Sequence, residues 1–314
     1  MADFIRIPQN PAPPGGEAFE FMAADGAKLR AAVFNAANAR GGVVLMSGRS
    51  EFIEKYFEVV GELLARKFSV ALMDWRGQGL SARLLPVPVK GHITDFGAYR
   101  ADLRLFTEQV VKKRFVGGPL VLMTHSMGGA PALQLLGDGY DAFDAAVLCA
   151  PMTRLFANPV KRAYARIASS IACALGASRQ SILGVKEHSM QFEGNILTTD
   201  RRRHDRFREL QSAAPNAVIL EPTYGWLKAA IEAMADLHRP GRFAALKTPT
   251  LIVSAENDRL VDSDDHAYLA SQSPLIERVL IKGALHEIMM ESDPYRDRYW
   301  EAVDSFLAAK LTRA

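Results

Sequence analysis

An α/β fold is predicted for this 314-residue chain: a mostly parallel central sheet with helices on both faces and an inserted helical segment. Three observations predict it. Short apolar runs alternate with stretches of helical spacing. The runs are continuously apolar rather than apolar on every second residue, which marks strands covered on both faces. The alternation lapses between about residues 152 and 243 and then resumes.

The elements follow in order. Residues 8–16 are rich in Pro and Gly and read as part of a mobile leader, 1–18. "FEFMAADGAKLRAAVF" (19–34) gives two strand-like runs around Asp25-Gly26, a hairpin signal. "GGVVLMSG" (41–48) and "FSVALMD" (68–74) read as buried strands. Between them, 54–67 carries Tyr56, Val59, Val60, Leu63 and Leu64 at helical spacing. A second helix is predicted over 96–115, with Tyr99, Leu103, Phe106 and Val110 on one face. A strand at 120–123, its helix and a strand at 143–151 complete the first part of the core, 19–151.

The inserted segment, 152–243, is predicted to be a helical cap. Tyr164, Ile167, Ile171 and Leu175 form one apolar stripe, and Trp226, Leu227, Ala230 and Met234 another. Each residue alone suits packing on the core, and together the stripes suit an acyl pocket. Arg201–Arg203 suit either a solvated helix face or an anionic lipid surface. The β pattern returns at 248–258 and 276–287, and a helix over 297–311 ends the second part of the core, 244–314. No internal repeat interrupts this plan, so one sheet domain with an insertion is expected rather than two independent domains.

Composition narrows the function. Half the residues are hydrophobic (49%) and 23% are charged, which fits a globular protein with a sizeable core. A net charge of +3, dispersed along the chain, gives no footprint for nucleic acid. Cys149 and Cys173 form no metal or disulfide framework and read as small buried hydrophobes. The first residues lack an apolar signal core, and no run of 18 apolar residues occurs. A cytoplasmic enzyme is the expectation, with peripheral contact to the inner membrane left open.

Chemistry is concentrated at "THSMGG" (124–129). A serine between a strand and a helix sits on a tight corner, where the residues two before and two after must be small. Ser126 meets that requirement with Thr124 and Gly128, and the following helix aims its N-terminal N–H groups toward it. A serine hydroxyl needs a general base. In sheet enzymes of this kind the order is serine, acid, histidine. Of the histidines that follow in the returning α/β part, His266 lies within a helix whose exposed face accounts for it. His286 lies just past a strand end and is the candidate base. The acid should end the preceding strand, where Glu256, Asp258, Asp262, Asp264 and Asp265 all qualify. An oxyanion hole needs two backbone donors: Met127, directly after the serine, and Arg49, in the loop after the first inner strand. Loss of one such donor typically costs about 10²–10³ in rate. The Arg49 side chain itself reads as a surface charge. Asp74 reads as a loop anchor rather than a catalytic acid, with Arg76 as its companion.

The chain resembles the α/β-hydrolase fold, and within it the bacterial lysophospholipase and monoacylglycerol lipase group, the serine aminopeptidase-like hydrolases. The resemblance covers nearly everything after residue 18. "DWRGQGLS" (74–81) is similar to that group's loop after the fourth strand, and "THSMGG" to its elbow. "AENDRLVD" (255–262) is similar to its acid loop, and "GALHEIMME" (283–291) to its histidine loop. "LTTDRRRHDRF" (197–207) and "PTYGWL" (222–227) are similar to two cap segments. The resemblance implies a Ser126–Asp258–His286 triad, selecting Asp258 among the acidic residues. It implies cleavage of a small-molecule or lipid ester through an acyl-enzyme, with no metal and no organic cofactor. Two positions depart from the group: Ser47-Gly48 where many members have His-Gly, and Thr124 where the elbow has Gly. The same triad also suits a small-ester esterase or an aminopeptidase-like amidase. A non-catalytic binding protein on this fold would be expected to lose a triad residue.

Overall fold

The computed structural model describes residues 3–183 and 191–311. The extremes of the leader and of the second core part, and residues 184–190 within the insertion, lie outside them. The continuous apolar runs form the middle of the sheet: β3 (Gly41–Met46), β4 (Phe68–Met73), β6 (Leu120–His125), β7 (Ala145–Cys149) and β9 (Thr250–Ala255). The hairpin of β1 (Gly16–Met22) and β2 (Lys28–Phe34) forms one edge, and β10 (Ile276–Ile281) the other. Among the described residues the strands lie in the order β1-β2-β4-β3-β6-β7-β9-β10. Pairing is parallel from β4 to β10 and antiparallel at β1/β2 and β2/β4.

Side chains on a strand point alternately to its two faces. Here both sets are buried. Val44, Met46, Leu122, Leu148 and Ile252 meet residues of α2 (Gly97–Phe106), α4 (Gly129–Gly137) and α7 (Tyr224–Leu237). Val43, Leu45, Val121, Met123, Val147 and Val253 meet α1 (Phe57–Ala65) and α9 (Asp293–Leu311). Two covered faces account for strands that read as unbroken apolar runs. The helix predicted over 96–115 is α2, a π-helical stretch (Thr107–Val111) and α3 (Lys112–Arg114). The Thr107 hydroxyl donates to the Leu103 carbonyl, 2.8 Å, where that stretch begins. α8 (Ser263–Ser271) follows β9.

Between β7 and β9 the chain forms α5 (Pro159–Ala174), α6 (Arg201–Ala213), the two-residue strand β8 (Glu221–Pro222) and α7. β8 pairs in parallel with β5 (Lys90–Gly91), a contact the sequence did not suggest. Thr223 caps α7, accepting from the Trp226 N–H, and also meets His92 Nδ1 at 2.8 Å.

Several expectations are corrected. The leader is tied down rather than mobile: Phe4 stacks on Phe34, Ile7 is buried, the Ile5 N–H donates to Glu54 Oε1 (2.9 Å), and Asn10 donates to the Glu54 carbonyl (2.8 Å). The stripe of Tyr164, Ile167, Ile171 and Leu175 does not face the core; its residues are 74%, 55%, 55% and 80% exposed. Arg203 is buried, on Glu58, Asp200 and Asp293. His266 is also buried, between Ser254 Oγ and the Pro151 carbonyl. Asp74 is an anchor, accepting from the Ile53 and Leu80 amides, but its ionic partner is Arg30; Arg76 pairs with Asp25 and Asp102.

Candidate active site

Three loops at the C-terminal ends of parallel strands bring the candidate residues together. β6 ends at His125, Ser126 adopts φ +48°, and a 3₁₀ turn (Ser126–Gly128) leads into α4. A left-handed conformation at a non-glycine residue is strained and is held only by its surroundings. The surroundings here are tight. A Cβ on Gly128 would sit 2.6 Å from the Ser47 carbonyl oxygen. The Ser126 carbonyl also accepts from the Met152 N–H, 2.8 Å.

Ser126 Oγ lies 2.8 Å from His286 Nε2, and His286 Nδ1 lies 2.6 Å from Asp258 Oδ2. Asp258 Oδ1 accepts from the Leu260 and Val261 amides at 2.8 and 3.0 Å. Burial alone would raise the Asp258 carboxyl. His286 and the two amides overcome that and hold it below the usual carboxylate range. An ionised Asp258 fixes the proton on Nδ1, leaving Nε2 to accept from the serine. The other acidic residues are engaged elsewhere: Glu256 accepts from the Gly283 amide, Asp262 faces Arg154 and Arg162, Asp265 pairs with Arg154 and His238, and Asp264 is exposed.

Above the serine opens a cavity of about 720 Å³. Its floor is Arg49, Ser126, Met127 and His286; Met152, Leu155, Tyr164, Trp226, Leu227 and Leu260 give it apolar walls. The Arg49 guanidinium is not the surface charge expected: it lies over the Trp226 ring, 5.1 Å from its centre. The two positions that depart from the resemblance are both buried, and Ser47 Oγ and Thr124 Oγ1 have no hydrogen-bond partner. Among the described residues, no group of three or more His, Cys, Asp or Glu is placed to share a metal ion. Nor is any described helix long and apolar enough to cross a membrane.

Sequence reasoning missed a group of charged residues that also lines this cavity: Glu51, Lys55, His125 and Glu287. Glu51, Lys55, His125 and Glu287 are all buried, together with Tyr56. Glu51 lies outside the helix predicted over 54–67, and Lys55 falls in its first turn, where a charged residue is unremarkable. The signal available was their position between Gly48 and an apolar helix face.

The family model described as "Serine aminopeptidase, S33" matches residues 37–293, and the chain belongs to that family of α/β-hydrolases. It is 31% identical over 310 residues to the Lysophospholipase L2 of Escherichia coli K12, covering 91% of this chain and 86% of that one. It is 27% identical to the Probable lysophospholipase L2 of Haemophilus influenzae, covering 84% and 83%. Among solved structures it is similar to a soluble variant of the monoglyceride lipase of Saccharomyces cerevisiae in complex with a substrate analog. That match has a TM-score of 0.77 and 21% identity, covering 99% of this chain and all of that one. A carboxyl esterase from Bacillus coagulans matches with the same TM-score at 16% identity, covering 96% and 100%.

Proposed function

We propose that the protein is a serine hydrolase that cleaves monoacyl lipid esters, as a lysophospholipase with monoacylglycerol lipase-like substrates. The observation that carries this reading is the Ser126–His286–Asp258 relay opening into an apolar cavity of about 720 Å³. Ser126 Oγ attacks the ester carbonyl carbon while its proton passes to His286 Nε2, and Asp258 stabilises the imidazolium. The Arg49 and Met127 amides receive the developing oxyanion. Collapse breaks the bond to the alcohol, which takes the proton from His286 and leaves. A water molecule, deprotonated by the same nitrogen, then releases the fatty acid and restores the serine. The names of the 31% and 27% identical relatives favour a lysophospholipid over a short ester.

The segment 152–243 acts as a cap over this cavity. One edge of α5 lines the cavity through Val160, Lys161 and Tyr164. Beside that edge runs the exposed stripe of Ile167, Ile171 and Leu175. Residues 154–183 hold five basic residues and no acidic one; of these, Lys161, Arg166 and Arg179 are exposed. Apolar side chains flanked by cations suit an anionic phospholipid surface. The proposed setting is therefore cytoplasmic, peripheral to the inner membrane, with the cavity mouth toward the lipid.

The test combines labelling by a fluorophosphonate probe with hydrolysis of lysophospholipids, monoacylglycerols, short p-nitrophenyl esters and aminoacyl amides. The wild type should label and turn over the monoacyl lipids. Ser126→Ala should stay folded, fail to label and lose about 10⁴-fold or more in turnover. Near-normal turnover by folded Ser126→Ala, or a preference for aminoacyl amides, would sink this reading.

A further inference from the structure

We propose that Glu51 is a positioning residue for the hydrolysis, its carboxylate locking the oxyanion loop, the serine corner and the histidine loop into one register. The proposal rests on the serine-hydrolase reading above. The Glu51 carboxylate accepts from four groups. The Gly48 N–H in the oxyanion loop and the Tyr56 hydroxyl (2.5 Å) reach Oε2. Lys55 Nζ reaches Oε1 at 2.8 Å. His125 Nδ1 lies 3.1 and 3.2 Å from the two oxygens. His125 directly precedes the nucleophile, and its Nε2 is 3.4 Å from the His286 carbonyl. Lys55 also donates to Glu287, next to His286, at 2.6 Å. One carboxylate thus ties together the neighbours of both Ser126 and His286 and the loop that carries Arg49.

The loop is pinned at three points. Trp75 Nε1 donates to the Ser47 carbonyl and the Ser50 N–H to Gln78 Oε1, each at 2.8 Å. Glu51 supplies the third through Gly48, with Arg49 between the pinned amides. There is no slack: a Cβ on Gly48 would lie 3.1 Å from the Ser126 Cβ and 2.8 Å from Glu51 Oε2. The charge state suits the role. Burial alone would raise Glu51, but Lys55 and His125 hold it well below the usual carboxylate range. Burial alone would lower His125, and Glu51 raises it instead. Buried ion pairs add little net stability over apolar packing, so the place of this one points to geometry. A misplacement of about 1 Å at a reacting centre costs about 10²-fold, which is the scale expected if the loop relaxes.

Glu51→Gln keeps the shape and removes the charge. The measurement is steady-state turnover of a soluble monoacyl ester, divided by the sites titrated with a fluorophosphonate, beside the melting curve. A purely structural role would reduce the titrated fraction and leave turnover per titrated site unchanged. Positioning predicts a full titre, turnover per site down about 10²-fold and KM within about 3-fold. Turnover per site within about 3-fold of wild type would overturn the proposal. Should Glu51→Gln fail to fold, Tyr56→Phe decides, because it removes one donor to the same oxygen and no charge. A drop of about 3-fold or more per titrated site supports positioning, and an unchanged value overturns it. A wild type that neither labels nor hydrolyses any ester would refute the hydrolase reading itself. An active wild type with an equally active Glu51→Gln refutes the Glu51 role alone.

Discussion

Replacing Glu58 by glutamine removes the carboxylate that rivets α6 to α1. Arg203 donates to its Oε2 from Nε at 3.0 Å and to its Oε1 from Nη2 at 2.7 Å, and Arg206 Nη2 also donates to Oε2. The Arg203 side chain is only 3% exposed and Glu58 23% exposed, so solvent screens the contact weakly. Burial alone would raise the Glu58 carboxyl. The hydrogen bonds from Arg203 and Arg206 overcome it and bring the group from an ordinary 4.5 to about 2. Each unit corresponds to about 1.4 kcal/mol, so the ionised carboxylate contributes about 3 kcal/mol at neutral pH. The sign follows from the lowered value. The contribution is fully present above about pH 4.5, shrinks to about 2 kcal/mol at pH 3.5, and is lost as pH falls through 2. Urea unfolding of wild type and Glu58→Gln at pH 7 and pH 3.5 measures both points, provided the m value is unchanged. The expected difference is about 3 kcal/mol at pH 7 and visibly smaller at pH 3.5. A difference below about 0.5 kcal/mol at pH 7, or one that does not change with pH, would refute the reasoning.

Two further outcomes are expected. The kcat/KM on soluble monoacyl esters should rise from C2 to at least C8, because each buried methylene is worth up to about 0.8 kcal/mol; a maximum at C2 would contradict the acyl-pocket assignment. The double variant Ile167→Asp/Ile171→Asp should lose most of its sedimentation with phosphatidylglycerol vesicles while its kcat on a soluble ester stays within about 2-fold, since both residues lie on exposed α5 surface away from the cavity lining; unchanged vesicle binding would remove the lipid-surface role of that helix.

The sheet was legible because its strands are covered on both faces and so leave unbroken apolar runs. The structure brings Ser126, His286 and Asp258 together; Ser126 and His286 stood out because each directly follows a strand, whereas position alone left Asp258 among five acidic residues and only the resemblance singled it out. Other features could not be read locally. The spacing of Tyr164, Ile167, Ile171 and Leu175 gives a shared face, but spacing cannot say whether that face meets core, ligand or solvent. Arg203 and Glu58 lie 145 positions apart, so nothing near Arg203 announced its burial. The Pro-rich leader looked mobile because its anchors, Glu54 and Phe34, lie far along the chain. Asp74 was recognised as an anchor from its loop, yet its partner Arg30 comes from another strand, and the nearer Arg76 looks equally suitable in one dimension.

β7 and β9 are hydrogen-bonded neighbours, yet the whole of 150–249 lies between them. Closing a chain loop of that size costs on the order of 4 kcal/mol, and doubling it adds only about 0.6 kcal/mol. The sheet therefore exerts almost no thermodynamic pressure on how long the excursion is. What constrains it are its docking points: the buried face of α7 and the Arg203 rivet on α6. A graft that keeps those two footholds and exchanges only the α5 stretch should fold with its reactive centre intact, so chain recognition is open to redesign independently of bond cleavage.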